Sequence, residues 1–296
     1  LTDVILSNNE TGAAPGNGGG LHVTGPGNTN VTGGTVDSNI AVNEGGGLWN
    51  GSGTMTLIDA TITNNAANGD DAGAAGGGGI YNEGGIVEAS GATLIDSNTA
   101  TAGASGSGGG ILNAAGTVTL IGTTVTNNTA NRAGGGIEVN GDATTNLTDV
   151  ILSNNETGAA PGNGGGLHIT GPGDSTITGG NVTNNIAAAE GGGLWNGTGS
   201  MSVTGTSIMD NTASGADATQ GGGGIFNAGG TLTVTGADIS DNVADGAAGS
   251  GGGIFNDGGT LTVTDSDIDE NTANRAGGGI EQNSGTTAGL LVIDNV

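Results

Sequence analysis

The sequence has few of the residues on which most folded and catalytic domains depend. It contains no Cys, five aromatic residues among 296, and two basic residues, Arg132 and Arg275, against 28 acidic ones, which gives a formal net charge of −26. The absence of Cys excludes a disulfide framework. Two basic side chains are too few for the phosphate contacts that nucleic acids and anionic membranes require. No apolar run approaches the roughly 18 residues of a membrane span. We therefore expect neither a nucleic-acid partner nor membrane insertion of this segment.

Glycine, in contrast, is abundant and periodic, with 69 residues. An Ile or Leu follows a glycine run once in every 26 to 32 residues. These positions are Leu21, Leu48, Ile80, Ile111, Ile137, Leu167, Leu194, Ile225, Ile254 and Ile280. A longer repeat is superimposed, because the stretch 1–22 returns unchanged at 147–168, five units later. The pattern predicts one continuous repeat array over residues 1–296, made of two five-unit blocks, 1–146 and 147–296, and excerpted from a longer repetitive protein.

The spacing within a unit predicts the fold. An Asn follows the aliphatic residue at a nearly fixed distance of 17 or 18 residues, whereas the distance from that Asn to the next aliphatic residue varies. The part of constant length is expected to form the turn of the coil itself, and the part of variable length is expected to form a loop. All insertions therefore fall at one corner of the coil. Short alternating segments such as "TLTVT" at 260–264 are typical of strands with one face buried. We predict an all-β, right-handed, single-stranded parallel β-helix of about ten rungs, with three strands per rung.

Asparagine recurs at two positions of the unit, once at the end of the constant part and once two residues after the aliphatic residue, as in Asn50. Side-chain amides at such turns cap the chain or form ladders between rungs. We interpret both sets as structural.

Two motifs carry a resemblance to a known family. "GGGI" or "GGGL" is followed by segments such as "DIDEN", "DISDN" and "TITNN". This pairing resembles the repeat of polymorphic outer membrane proteins, in which GGA and an aliphatic residue are paired with F..N. The resemblance implies a parallel β-helix in a secreted surface adhesin. This chain has Gly in place of Ala and Ile, Val or Leu in place of Phe.

The residue after each aliphatic residue forms a series, here called the stripe. Its members are His22, Trp49, Tyr81, Leu112, Glu138, His168, Trp195, Phe226, Phe255 and Glu281. All five aromatic residues of the chain are in it. Alternation directs these side chains outward, and the two Glu residues favour an exposed position. Either the rings stack between rungs and stabilise the sheet, or the stripe binds glycans or another copy. We predict a lateral contact surface at His22, Trp49, Tyr81, His168, Trp195, Phe226 and Phe255.

A series of acidic residues immediately precedes the rung asparagines of the last units, at Asp210, Asp241 and Glu270. Stacked rungs place these carboxylates about 5 Å apart. The two alternatives are a solvated acidic face and bridging by a hard cation such as Ca²⁺. No other cofactor is predicted. Asp70 and Asp71 are interpreted as an exposed loop tip.

The two arginines occupy identical "TANRAGGGIE" loops, and we expect each to contact an acidic residue of an adjacent rung or of a neighbouring molecule. Many β-helix proteins cleave polysaccharides, but lyases of that kind use Lys or Arg as base, and no carboxylate pair is singled out here for glycoside hydrolysis. The sequence therefore predicts no enzyme. It predicts a structural or adhesive segment of a large secreted cell-surface or extracellular filament protein that self-associates through one face. The alternative is a carbohydrate-binding or carbohydrate-cleaving β-helix.

Overall fold

The computed structural model describes residues 1–12, 15–69, 75–101, 104–158, 161–284 and 289–296. Asp70 and Asp71 lie outside the described residues. The described part contains no helix and consists of short strands in four parallel sheets, each joining strands of successive turns. The prediction of a parallel β-helix is confirmed. The prediction of three strands per rung is wrong, because a fourth sheet of two-residue strands follows the rung Asn.

We number the rungs 1 to 10 from the strand that follows each glycine run. These strands form sheet I: Leu21–Val23, Leu48–Asn50, Ile80–Asn82, Ile111–Asn113, Ile137–Asn140, Leu167–Thr170, Leu194–Asn196, Ile225–Asn227, Ile254–Asp257 and Ile280–Asn283. The next strands form sheet II: Thr29–Thr32, Thr54–Ile58, Ile86–Ser90, Thr117–Ile121, Thr144–Thr148, Asp174–Thr178, Ser200–Thr204, Thr231–Thr235, Thr260–Thr264 and Leu290–Asp294.

Sheet III lies before the rung asparagines and contains Ile5–Ser7, Thr35–Asp37, Thr61–Thr63, Leu94–Asp96, Thr124–Thr126, Ile151–Ser153, Asn181–Thr183, Ser207–Met209, Asp238–Ser240 and Asp267–Asp269. Sheet IV follows them and contains Ile40–Ala41, Ala66–Ala67, Thr99–Ala100, Thr129–Ala130, Glu156–Thr157, Ile186–Ala187, Thr212–Ala213, Val243–Ala244 and Thr272–Ala273. Its inward position is usually Ala, as at Ala130, which is fully buried.

The core is a column of aliphatic side chains inside the coil. In sheet II, Leu261 and Val263 are fully buried and the three threonines that alternate with them are half-buried, as alternation predicts. Most strands of sheets I, II and III contribute one or two such residues, each of which meets the equivalent residue of the next rung.

The rung asparagines form a continuous buried ladder. Nδ2 of Asn128 donates to Oδ1 of Asn155 at 3.0 Å and to the carbonyl oxygen of Ile95 at 3.0 Å, while its backbone N donates to the same Oδ1. The residue before each rung Asn has positive φ, for example 53° at Asn127. Asn, Asp and Ser tolerate that conformation, which explains why they occupy the position.

A second amide ladder, in sheet I, has one interruption of two rungs. Asn50, Asn82 and Asn113 are hydrogen-bonded in sequence, with Nδ2 to Oδ1 distances of 2.8 and 2.9 Å. Rungs 5 and 6 have Val139 and Ile169 instead. Because Ile169 has no donor to offer, Oδ1 of the next member, Asn196, is buried without a partner in the protein.

The interruption is accompanied by an opposite change across the turn. In sheet II, rungs 5 and 6 have the polar Thr145 and Ser175 at the inward position that is Val118 in rung 4 and Met201 in rung 7. At the corner between sheets I and II, every one of these rungs has one polar and one apolar side chain. In rungs 4 and 7 the polar side chain is in sheet I and the apolar one in sheet II, whereas in rungs 5 and 6 the polar side chain is in sheet II.

Candidate functional site

The stripe residues are brought into register by sheet I. Trp49 lies opposite His22 and Tyr81, and Trp195 lies opposite His168 and Phe226. The rings of His168 and Trp195 are stacked with centroids 4.2 Å apart, and those of Trp195 and Phe226 with centroids 6.0 Å apart. Phe226 and Phe255 meet edge to face at 5.1 Å. The sequence thus identified a real stack of rings.

The predicted exposure of the stripe is wrong for most of its members. Trp49 is 5% exposed, Tyr81 4%, His168 4%, Phe226 2% and Phe255 0%. The side chains do point away from the coil, since Trp49, Tyr81 and Leu112 form a cluster separate from the main core. Most of them are nevertheless covered: within the stripe only His22 is exposed, and Trp195 and Glu281 are partly exposed.

The covering comes from the loop that precedes each sheet I strand. The loop enters through a glycine with positive φ, and a Cβ placed on Gly191 would lie 2.9 Å from Cβ of Trp195. The chain therefore passes directly over the stripe, and only a residue without a side chain fits there. Sequence alternation gives the direction of a side chain but does not show whether a loop folds over it.

Two equivalent carboxylates from this loop bind the tryptophans. Oε2 of Glu190 accepts hydrogen bonds from Nε1 of Trp195 at 2.9 Å and from Nδ2 of Asn163 at 3.2 Å. Oε2 of Glu44 accepts from Trp49 in the same way at 3.2 Å. Burial raises the pKa of Glu190 above its ordinary value, and the hydrogen bond from Trp195 opposes that shift.

The same kind of burial acts on the tyrosine of the stripe. Burial, with Glu44 and Glu83 nearby, raises the pKa of Tyr81 well above its ordinary value. Our sequence reasoning did not identify Glu44 or Glu190. A signal was present, because each precedes its tryptophan by five residues in both blocks.

Glu138 is the centre of a buried polar cluster between rungs 5 and 6. Its side chain is fully buried, which contradicts its use as evidence for an exposed stripe. Oε2 lies 2.8 Å from Nδ1 of His168, and Oε1 accepts a 2.7 Å hydrogen bond from Oγ1 of Thr170. Nη1 of Arg132 lies 3.6 Å from Oε1. A buried charge needs such partners to offset its lost hydration.

Both arginines have intramolecular partners. Arg132 donates to Oγ of Ser107 in the preceding rung at 3.0 Å, and Arg275 donates in the same way to Ser250 at 2.9 Å. Nη2 of Arg275 also lies 3.4 Å from Oε1 of Glu281. The acidic partners, Glu138 and Glu281, lie in the sheet I strand that directly follows the loop of each arginine. The hydroxyl partners, Ser107 and Ser250, lie in the preceding rung.

The acidic series lies on the surface. Asp210, Asp241 and Glu270 are exposed and have φ between 52° and 56°. Two of them, with Asp238, Asp267 and Asp269, line a shallow depression. Within the described ranges no three acidic, His or Cys side chains converge on a point where they could hold one metal ion. Asp adopts positive φ more readily than most residues, which is consistent with its presence at Asp210 and Asp241.

Comparison with protein-family models, with curated proteins and with solved structures found no match for this chain. The resemblance to the repeat of polymorphic outer membrane proteins thus has only the motifs as its support. None of the described segments forms a helix with the length and apolar character needed to span a bilayer.

Proposed function

We propose that this chain is a structural segment of a secreted cell-surface or extracellular filament protein, in which stacked rungs supply reach and stiffness. The support comes from its uniformity along the axis. Three sheets have ten strands each and the fourth has nine among the described residues, and an amide ladder accompanies them. Solenoids of this kind gain stability from contacts between neighbouring repeats, so length can be added without a change in design.

The observation that carries the proposal is how the reactive side chains are used. Glu138 and His168 bond to each other, and Glu190 is bonded to Trp195 and Asn163. These groups are largely buried and engaged in contacts between rungs or with the covering loop. Such use favours a structural role over catalysis, because a catalytic group must reach a substrate.

An extracellular location is supported by composition. A chain with no Lys and two Arg offers few sites to trypsin-like proteases, and strong negative charge favours solubility. Both features suit a durable extracellular protein.

Adhesion through the stripe, to another copy or to a glycan, has lost most of its basis because the rings are covered. Among the rings of the stripe only His22 and Trp195 are not buried, so carbohydrate binding through the stripe would depend on these two.

Electron microscopy and small-angle X-ray scattering of the chain test the proposal. We expect an unbranched elongated particle whose length grows by about 4.8 Å per rung. Deletion of one whole unit, 225–253, should shorten the particle and preserve the fold, whereas deletion of ten residues inside that unit should not. A compact sphere, a flexible chain, or equal damage from both deletions would refute a uniform solenoid spacer.

A further inference from the structure

The outward face of sheet II in rungs 7 to 9 consists entirely of hydroxyl side chains. Its strands are Ser200–Thr204, Thr231–Thr235 and Thr260–Thr264, and the first, third and fifth residue of each strand is Ser or Thr. The other two residues of each strand point into the core and are at most 1% exposed. We call the nine outward residues the hydroxyl array.

The hydroxyl array is a regular two-dimensional lattice. Ser202, Thr233 and Thr262 lie opposite one another in successive rungs, and the two flanking columns are in register in the same way. Neighbouring strands of a sheet lie about 4.8 Å apart, and alternate residues of one strand lie about 6.6 Å apart. The hydroxyl groups are therefore arranged in rows and columns with these two spacings.

The amide ladder of sheet I holds the strands of the array in place. Nδ2 of Asn196 donates to Oδ1 of Asn227 at 2.7 Å and to the carbonyl oxygen of Thr231 at 3.3 Å. One rung further, Nδ2 of Asn227 bonds in the same way to Asn256 and Thr260. Side-chain ladders favour a flat sheet, and β-branched Thr side chains are stiff about χ1. The array is therefore ordered before any ligand binds.

The hydroxyl array is uncharged, although the chain has a net charge of −26. In the same rungs the neighbouring sheet III carries Asp238, Asp267 and Asp269. Charge would serve solubility better than hydroxyl groups do, so solubility alone does not explain the array. Its residues are half-buried or exposed, and none of their hydroxyl groups is hydrogen-bonded to another residue of the described ranges. All nine are available to an external partner.

We propose that the hydroxyl array binds the surface of ice. An ice crystal is an uncharged lattice of oxygen atoms, and the oxygen positions on its prism faces repeat at distances close to the two spacings of the array. A hydroxyl group at such a position takes the place of a water molecule in the surface layer, while the threonine methyl groups fill the space between. Charged groups do not fit, because they orient water differently. Register and absence of charge thus favour the same ligand.

Binding of this kind depends on many weak contacts made together. Each hydroxyl group exchanges a hydrogen bond to liquid water for one to ice, so a single contact contributes little. The contacts add up because the array is already ordered and loses little conformational freedom on binding. This binding function is additional to the proposed structural one and uses only the outer face of the coil.

The array has a boundary inside the same sheet. In rungs 4 to 6 it continues less regularly, with Ile121, Asn146 and Asp174 at three of the nine outward positions. Rung 3 has Ile86 and Glu88 at two of its three outward positions. Rung 3 is therefore a control region in the same sheet and the same columns.

Ice growth in the presence of the purified chain tests the proposal. We would measure thermal hysteresis, crystal shape and the rate of recrystallisation, with serum albumin at equal mass concentration as the reference. We expect faceted crystals and slower recrystallisation than in the reference. Ice growth indistinguishable from the reference would overturn the proposal.

Two Tyr variants test which face binds. Thr233→Tyr places a ring at the centre of the array, and Glu88→Tyr places the same ring in the same column at rung 3. Tyr is a good strand residue, and circular dichroism with thermal melting checks that both variants fold. We expect ice shaping to be lost in the first variant and retained in the second. Unchanged ice shaping in folded Thr233→Tyr, or equal loss in both, would overturn the array as the site.

A charged variant keeps the test decisive if the Tyr variant does not fold. Thr233→Glu introduces the side chain that rung 3 already carries at the equivalent position, Glu88, and so is compatible with the strand. It should also lose ice shaping, and retention would overturn the proposal.

Other partners of the array are separated by the same material. Binding to insoluble cellulose, or pairing of copies in sedimentation velocity, without any effect on ice would overturn the proposal. Such results would leave the structural function standing, because the length of the particles in electron microscopy does not depend on the outer face of sheet II.

Discussion

The indole N–H of Trp195 donates a 2.9 Å hydrogen bond to Oε2 of Glu190, and the loop that carries this carboxylate covers the ring. Covering the ring places a carboxylate in a poorly hydrated position. Burial is the main cause of the raised pKa of Glu190.

The first prediction follows from that raised pKa. A carboxyl group whose pKa is higher in the folded than in the unfolded state binds its proton more tightly when folded. Its contribution to stability is therefore complete below the unfolded value, near 4.5, and is lost as the pH rises through the folded value. We expect Glu190→Gln to flatten the fall in stability above about pH 4.5. Melting temperatures measured across pH 4 to 8 check this. Glu10→Gln, at an exposed site, is the control, and identical profiles for both variants would contradict the prediction.

The rung ladder gives a second prediction. Asn128→Ala removes the acceptor that the backbone N and Nδ2 of Asn98 use at 2.9 and 3.0 Å. Because buried donors left without partners are costly, we expect a loss of about 2–4 kcal/mol. Asn127→Gly, at the adjacent exposed position of positive φ, should change stability by less than about 0.5 kcal/mol. Denaturant titration compares them, and a loss for Asn128→Ala no larger than the control would show that the ladder contributes little.

Replacement of two inward hydroxyl residues of sheet II by Val is predicted to have different effects on stability. Oγ of Ser175 is buried without a partner in the protein, whereas Oγ1 of Thr145 lies 3.5 Å from its donor, Nδ2 of Asn113. Ser175→Val should stabilise the fold by about 1 kcal/mol, because it removes an unpaired polar group and adds apolar contact. Thr145→Val should be neutral or destabilising. A thermal shift of the same sign and size in both variants would be inconsistent with this difference.

The two arginines provide a matched pair for a fourth prediction. Arg132 faces the fully buried Glu138, whereas Arg275 faces Glu281, whose side chain is 23% exposed. Replacement of Arg132 by Met should cost about 1–3 kcal/mol, since a buried carboxylate loses a charged partner. Replacement of Arg275 by Met should cost less than about 1 kcal/mol, as for exposed ion pairs. Chemical denaturation monitored by circular dichroism gives both values, and the opposite order would refute the argument.

The acidic series provides the last prediction. Asp210, Asp241 and Glu270 adopt positive φ, and Glu is less suited to it than Asn. We expect Glu270→Asn to raise the melting temperature slightly. We also expect CaCl₂ and NaCl at equal ionic strength to shift the melting temperature of the unmodified chain equally, because screening does not distinguish the ions. A larger shift with CaCl₂, abolished by Asn at all three positions, would instead support cation bridging.

Particular residues show where sequence reasoning stopped. The inward positions of Leu261 and Val263 could be predicted because alternation within a strand is local. Sheet IV was missed because two-residue strands such as Thr129–Ala130 are too short for alternation to be visible. The burial of Trp49 and the pairing of Glu138 with His168 were missed because both depend on a loop or an adjacent rung.

The sequence by itself determined the rung length, the inward residues and the register in which equivalent residues of successive rungs lie opposite each other. The physical reason is that contacts between rungs join equivalent positions of successive units, so a period in the sequence is a contact in space. Only the tertiary structure decided which outward residues are covered, which carboxylates receive hydrogen bonds, and which amides lack a partner. Those properties depend on the path of loops of variable length and on the chemistry of two adjacent rungs together, and neither is periodic.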